Sequence, residues 1–302
     1  MKNKSFKKTP GERIFTGLNY FFVILLCLTI ILPFLNIFSL AFNNGVDAQR
    51  GGIYFWPRDF SLENFKEVFA QSHIVSGFYI SIFRTVVGTV LSVFLTAMAA
   101  FVLKSKTLPG RKVITFFVFF TMLFSGGIIP YYMVLKELAL TNTIWVYILP
   151  SLYSVWNIII MRTFFQAIPD SIEDAARIDG CGEFNIFLKI VLPMSTPVIA
   201  AVGLFNAVAH WNDWFSGVFY VRDKALKPLS TLLQEMLTQQ DSLKELLLQS
   251  SSAQYELLNQ IQVTGDSMKM ATIIIVVTPI IVIYPFLQKH FAKGVNIGAV
   301  KE

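Results

Sequence analysis

Apolar residues fall in six runs, at 19–42, 77–103, 113–135, 144–165, 190–210 and 270–291. Each is long enough to cross a ~30 Å hydrocarbon core as a helix. The polar connections between them differ in character. Within 221–269, Leu229, Leu232, Leu233, Met236 and Leu237 repeat at three and four residues, as do Leu243, Leu246 and Leu247, which predicts an amphipathic helix. Such a helix either rests on the membrane interface or offers an external partner a docking surface. Pro130, Pro150, Pro197, Pro279 and Pro285 lie within or near the ends of apolar runs, where neighbouring groups can satisfy the freed carbonyls. They are either ordinary kinks or hinges, and Gly126, Gly127 and Pro130 are the best hinge candidates.

The connection at 166–189 is longer than a plain joint between helices, which takes about two to eight residues, and it is patterned for helix. Ile168, Ile172, Ala175 and Ala176 share one helical face. Pro169 or Asp170 can open the helix, and the Asp170–Glu173 spacing fits a capping box. Glu173 and Asp174 then lie in the first turn, where the helix dipole favours negative charge. Gly180 can turn left-handed and end it. Phe184, Phe187, Leu188 and Val191 form a second pattern, closed by Pro193. The expectation is two short helices joined by Gly180-Cys181-Gly182. They either pack on their own bundle or use the flat alanine face and acidic edge to meet another protein.

Composition agrees with the runs. The chain is 54% hydrophobic and only 15% charged, with mean hydropathy +0.59, whereas a soluble domain carries about 25% charged residues. This is the composition of an integral membrane protein. Of the +6 net charge, much is concentrated in two places. Lys2, Lys4, Lys7, Lys8 and Arg13 precede the first run, and Lys104, Lys106, Arg111 and Lys112 crowd one short connection. The positive-inside rule puts both in the cytoplasm, and with them 166–189 and both termini. The connections at 43–76, 136–143 and 211–269 are then external. No basic patch interleaved with aromatics points to nucleic acid. Cys27 and Cys181 are too few and too differently placed for a disulfide framework. The first run is longer than a signal-peptide core and no small-residue cleavage site closes it.

The 166–193 stretch resembles the signature loop of the permease subunits of bacterial ABC importers, E-A-A-x3-G-x9-I-x-L-P. Asp174, Ala175 and Ala176 occupy the E-A-A positions, Gly180 follows three residues later, and Ile190, Leu192 and Pro193 complete the spacing. Asp174 stands where Glu is usual, with Glu173 beside it as a second carboxylate able to compensate. FSLENF (Phe60–Phe65), FSGGIIP (Phe124–Pro130), WNDWF (Trp211–Phe215) and the tail YPFLQKHFAKGVNIGAVKE are similar to the MalG-like carbohydrate permeases, most of all those of oligosaccharide importers. The resemblance implies an all-α, six-span, type I (MetI-like) permease fold with cytoplasmic coupling helices. It implies one transmembrane permease domain over 1–302. That domain comprises a cytoplasmic segment 1–18, four spans in 19–165, the coupling loop 166–189, two spans in 190–291 around external 211–269, and a cytoplasmic tail 292–302.

The chain has no G-x4-G-K-[ST] phosphate loop, so the resemblance assigns the motor elsewhere. Two cytoplasmic ATPase subunits would use ATP with Mg, and this chain would bind no cofactor or metal itself. Glu173, Asp174, Ala175, Ala176, Arg177, Asp179 and Gly180 would couple to one ATPase, in the cell membrane of a bacterium. A second homologous permease would complete the pathway, and an extracellular solute-binding protein would deliver the carbohydrate.

Pathway candidates are Trp211, Asn212, Asp213 and Trp214, which combine ring faces with hydroxyl-binding polar groups; an interfacial aromatic belt is the other reading. Arg84, a charge inside the second run, either touches substrate or pairs with a buried acid or carbonyl. Arg162 either snorkels or anchors the coupling loop. Two rivals are weaker. An intramembrane enzyme would need a nucleophile and base or metal ligands in the spans, and His73, His210 and His290 sit near run ends. A secondary transporter needs no docking loop and commonly buries acids, whereas no Asp or Glu lies within the six runs.

Overall fold

The computed structural model describes residues 9–48, 50–249, 266–283 and 285, and in 240–249 it describes a side chain only at Ser242. The described chain is helical apart from turns and one isolated bridge between Asn43 and Phe60. It divides into two compact units, Met1–Ala70 with Gln239–Ile275, and Gln71–Thr238 with Val276–Glu302.

In the first unit, α1 (Pro10–Ala41) begins well before the apolar run does. Its start is set by a capping box: the Thr9 hydroxyl accepts the Glu12 N–H at 3.3 Å and Glu12 Oε2 accepts the Thr9 N–H at 2.8 Å. Pro10 supplies a first residue that needs no donor. Along most of its length α1 exposes apolar side chains on every side, the surface of a helix made for lipid. Short helices α2 (Gly45–Ala48) and α3 (Glu63–Ala70) follow.

The FSLENF motif lies here. Asn64 is buried and donates to the carbonyls of Ala41 at 3.0 Å and Asn43 at 2.8 Å, while Phe42 packs on Phe60 and Phe65. Nearby, Arg58 Nε lies 2.9 Å from Asp47 Oδ2. Its guanidinium, with Asn43, holds that carboxyl below the usual carboxylate range. Asn64→Ala would leave two carbonyls without donors and should cost roughly 2–4 kcal/mol. Thermal unfolding of the detergent-solubilised protein measures it.

The remaining elements are α4 (Ser72–Lys104), α5 (Arg111–Leu123), α6 (Ile128–Glu137), 3₁₀ turns at Ile144–Tyr147 and Leu149–Ser151, and α7 (Val155–Gln166). Then come α8 (Asp170–Ile178), α9 (Glu183–Ile186), a π turn Phe187–Val191, α10 (Leu192–Met194), α11 (Thr196–Asn212), α12 (Phe215–Tyr220) and α13 (Leu229–Gln249). A last helix, α14, spans Asp266–Ile283.

By length and composition α1, α4 and α14 can each cross a membrane. The other three runs, each read as one helix with a proline kink or hinge, are broken into separate helical pieces. The chain bends by 116° between α5 and α6, by 46° between the 3₁₀ turns and α7, and by 84° between Glu183–Met194 and α11. At the first break Phe124–Gly127 is non-helical and Gly127 has φ 86°. At the third, Pro193 and Pro197 flank Ser195, and neither can donate back into a helix. Hydropathy measures how much apolar material crosses, not whether it is straight.

Helix α4 packs along α11 and α7. Ala97, Ala100 and Leu103 meet Ile158, Met161 and Phe165 of α7, together with Val198 and Val202 of α11, in one core. Higher on the same face, Ser81, Arg84, Ser92 and Thr96 are buried. Ser92 and Asn157 both reach Asn206 Oδ1 at 3.4 Å. A Cβ on Gly88 would fall 2.5 Å from the buried His210 ring, so a glycine there permits the close α4–α11 approach typical of membrane helix pairs.

The amphipathic helix expected after residue 221 exists as α13, and its first turn is packed into the bundle. Leu229, Ser230, Thr231 and Leu232 are buried, and the Leu229 N–H donates to Ser81 Oγ at 2.9 Å. The second repeat, Leu243, Leu246 and Leu247, has side chains outside the description. The residues from Phe286 onward, most of the C-terminal motif, also lie outside the described residues.

Candidate functional site

Two constellations lie along α4, one at its last residue, Lys104, and one around Arg84 in its first half. The first is α8 and its neighbours. Helix α8 opens after Pro169 with no side-chain cap, so the Asp170–Glu173 capping box expected from spacing does not form. Glu173 instead turns inward and bonds Lys104 Nζ, and both side chains are only 7% exposed. Asp170 pairs with Lys106 at 3.0 Å on the surface, a contact that keeps the Asp170 carboxyl below the usual carboxylate range.

The helix ends as its sequence predicts. Gly180 adopts φ 81°, and the Cys181 N–H donates to the Ala176 carbonyl at 2.9 Å, the left-handed stop that glycine makes readily. Arg177 then clasps the turn shut. Its Nε and Nη2 donate to the two Glu183 oxygens at 2.7 and 3.3 Å, and Nη1 reaches Asp174 Oδ1 at 2.8 Å. The Glu183 carboxylate, first among these partners, raises the pKa of Arg177 above the guanidinium norm, and Arg177 lowers that of Glu183.

The expected apolar face divides. Ile168 and Ala176 are buried and Ile172 packs beside them on the core of α4 and α7, whereas Ala175 is exposed. The outer surface carries Asp174, Ala175, Ile178 (86% exposed), Asp179, Gly180 and Cys181. Both readings of the hairpin therefore have a face: one packed on its own bundle, one open. Because Glu173 is buried against Lys104, the exposed edge beside the two alanines is carried by Asp174, and Glu173 does not stand beside it as a second free carboxylate. A groove of about 960 Å³ runs between this helix and the 104–109 connection, lined by Lys104, Lys106, Pro109, Asp170, Asp174 and Arg177.

The second constellation is the Trp211–Trp214 turn at the end of α11. Arg84 is fully buried. Its Nη2 donates to the carbonyls of Asp213 at 2.7 Å and Trp211 at 3.3 Å and to Ser230 Oγ at 3.1 Å, and Nη1 lies 3.5 Å from Asp213 Oδ2. Tyr147 stands beneath, its ring centre 5.1 Å from the guanidinium carbon. Pairing with an acid and with carbonyls, one of the two roles open to this arginine, is the contact it makes.

Trp211 is buried and its Nε1 donates to the Val276 carbonyl at 3.0 Å. Asp213 caps α12 by accepting the Ser216 N–H at 3.1 Å. Asn212 and Trp214 are exposed and Asp213 is half-buried. Thr231 holds the turn from the other side, through the Trp214 carbonyl at 3.1 Å.

Sequence reasoning passed over Lys104, Ser230 and Tyr147. Lys104 was visible only as one of four cations in a short connection. Its place immediately after a long apolar run was the available signal, and it does not name Glu173. Among the described residues no group of three or more His, Cys, Asp or Glu is placed to hold a metal, and Cys27 and Cys181 are free and exposed.

Comparison with known proteins gives a consistent result. A family model described as the binding-protein-dependent transport system inner membrane component matches residues 74–297. The chain is 37% identical to the polygalacturonan/rhamnogalacturonan transport system permease protein YtcP of Bacillus subtilis, over 96% of this chain and 99% of that protein. It is 38% identical to protein LplC of the same bacterium, over 97% of each. Its fold matches a chain from the crystal structure of a bacterial ABC transporter involved in the import of the acidic polysaccharide alginate. The TM-score is 0.83 at 27% identity, covering 95% of this chain and 100% of the other.

Proposed function

The chain belongs to the family of binding-protein-dependent transport system inner membrane components, and from that premise we propose that it forms half of the translocation pathway of an ATP-driven oligosaccharide importer. The observation that carries the reading is α8, a helix held to its own bundle on one face and open on the other. It ends at a left-handed glycine in the spacing of the permease signature. The chain is a transport subunit and not an enzyme; ATP with Mg is hydrolysed by separate ATPase subunits.

In this reading the 104–112 and 166–189 connections and both termini face the cytoplasm. The open side of α8, with Asp174, Ala175, Arg177, Asp179 and Gly180, rests on one of two ATPases, with Glu173 and Ala176 supporting it from within. A second, homologous permease supplies the other half of the pathway, and a solute-binding protein delivers substrate from outside. Oligosaccharides containing uronic acids are the first substrates to test, because a relative is named for polygalacturonan and rhamnogalacturonan and a structural neighbour for the acidic polysaccharide alginate.

Asn212, Asp213 and Trp214 face the pathway in this reading, with Arg84 and Trp211 holding them from behind. Reconstituted with partner permease, ATPases and binding protein in proteoliposomes, the complex should take up oligogalacturonate only with ATP. Trp214→Ala should raise the concentration for half-maximal uptake about fivefold, the loss of one contact worth about 1 kcal/mol, with co-purification of the subunits unchanged. Unaltered uptake kinetics would return Trp214 to an interfacial aromatic belt. Uptake that persists without the ATPase subunits would overturn the importer reading itself.

A further inference from the structure

We propose that Lys104 and Glu173 are the positioning pair through which movement of α8 is delivered to the Trp211–Trp214 turn, with α4 as the strut between them; this rests on the importer reading above. At the α8 end, the contacts with the bundle are of two kinds. Ile172 and Ala176 meet the core through small apolar surfaces, which can slide. The Lys104–Glu173 pair is directional and almost fully withdrawn from water. Separating it would leave Lys104 buried without a partner and Glu173 with Arg177 alone, 3.6 Å away, so the two side chains travel together. The neighbouring Lys106–Asp170 pair is exposed, with both side chains more than half accessible, and such pairs hold little.

Helix α4 then runs without interruption from Ser72 to Lys104 and contains no proline. The three broken spans bend within themselves and cannot carry a push along one axis, whereas a continuous hydrogen-bonded helix can. From Lys104 to Arg84 the strut is about 30 Å long at about 1.5 Å per residue. At its far end the grip is again polar and buried. Arg84 holds the Trp211 and Asp213 carbonyls, and Ser81 holds the Leu229 N–H. One rigid element thus has a buried ionic joint at the helix that receives force and a buried guanidinium gripping the turn that faces substrate.

The test uses the complete complex in proteoliposomes and measures ATP hydrolysis with and without sugar-loaded binding protein, alongside subunit co-purification. Lys104→Met removes the charge and keeps the stem, and should reduce the stimulation ratio at least about fivefold, the lower end of couplings between linked sites. Lys104→Arg keeps the charge and should retain most of the stimulation. Without Lys104 the buried Glu173 keeps only the 3.6 Å contact with Arg177, and a poorly paired buried carboxylate can also block assembly. The double variant Lys104→Met with Glu173→Gln, which leaves no buried charge unpaired, is therefore the decisive case. It should assemble and still lose stimulation. Stimulation retained in the double variant, or lost equally in Lys104→Arg, overturns the proposal while a responsive wild type leaves the importer reading standing. A wild-type complex that ignores the loaded binding protein overturns both.

Discussion

Arg84→Met is expected to destabilise the protein by about 2–4 kcal/mol, because buried acceptors left without donors cost roughly 1–3 kcal/mol each. Methionine fills much of the volume, so the effect is not that of a cavity. It comes from the Trp211 carbonyl and Ser230 Oγ, which lose the Arg84 N–H, and from Asp213, whose carbonyl and carboxylate both face that guanidinium. Ser230 still donates to the Asp213 carbonyl at 3.1 Å, which limits the loss. Arg84→Lys should fall between the two, since an ammonium keeps the charge but cannot fork across several oxygens. Thermal unfolding in detergent, followed by tryptophan fluorescence, reads the change. An unfolding temperature equal to wild type would mean that the guanidinium does not hold this turn. Uptake should fall with stability, because a charge inside a membrane bundle is retained at a cost that function must offset.

Gly180→Val is expected to give the largest loss of transport. The backbone at Gly180 has φ 81°, and a Cβ there would meet nothing within 4 Å. Valine is therefore resisted only by its own backbone, by roughly 1–3 kcal/mol for a branched residue in the left-handed region. Relaxing that strain means unwinding the end of α8. The Cys181-to-Ala176 bond and the Arg177–Glu183 clasp would go with it, while Glu173 keeps the other end tied to Lys104. ATP hydrolysis should continue with uptake reduced at least about tenfold, a coupling loss near 1.4 kcal/mol. Gly180→Asn, which tolerates the left-handed region, should keep most of the uptake. Equal loss in both variants would assign the effect to bulk on the open surface instead of to backbone conformation.

These two positions also mark how far the chain could be read before its fold was known. Gly180 was legible in full, because a helix stop depends on residues within one turn of it, and the signature spacing around it is local too. The six apolar runs were legible as material that crosses a membrane, though not as three straight spans and three broken ones. Arg84 was legible as an anomaly, a charge in an apolar run, but its partner Asp213 lies 129 residues away. Asp213 was itself singled out in the WNDW motif, and nothing local joins the two.

Adjacent carboxylates show the boundary most sharply. Glu173 and Asp174 read alike as first-turn acids, and the spacing favoured Glu173 as part of a capping box. On a helix neighbouring residues point about 100° apart, so one of them had to face the bundle and the other solvent. Which one was decided by Lys104, 69 residues earlier, arriving at the end of α4 almost fully withdrawn from water. By itself the chain determined what depends on neighbours in sequence: apolar length, helix ends, the left-handed turn and the permease signature. Only the tertiary structure decided which charges are buried and with whom, because desolvation depends on segments that meet only when the helices pack.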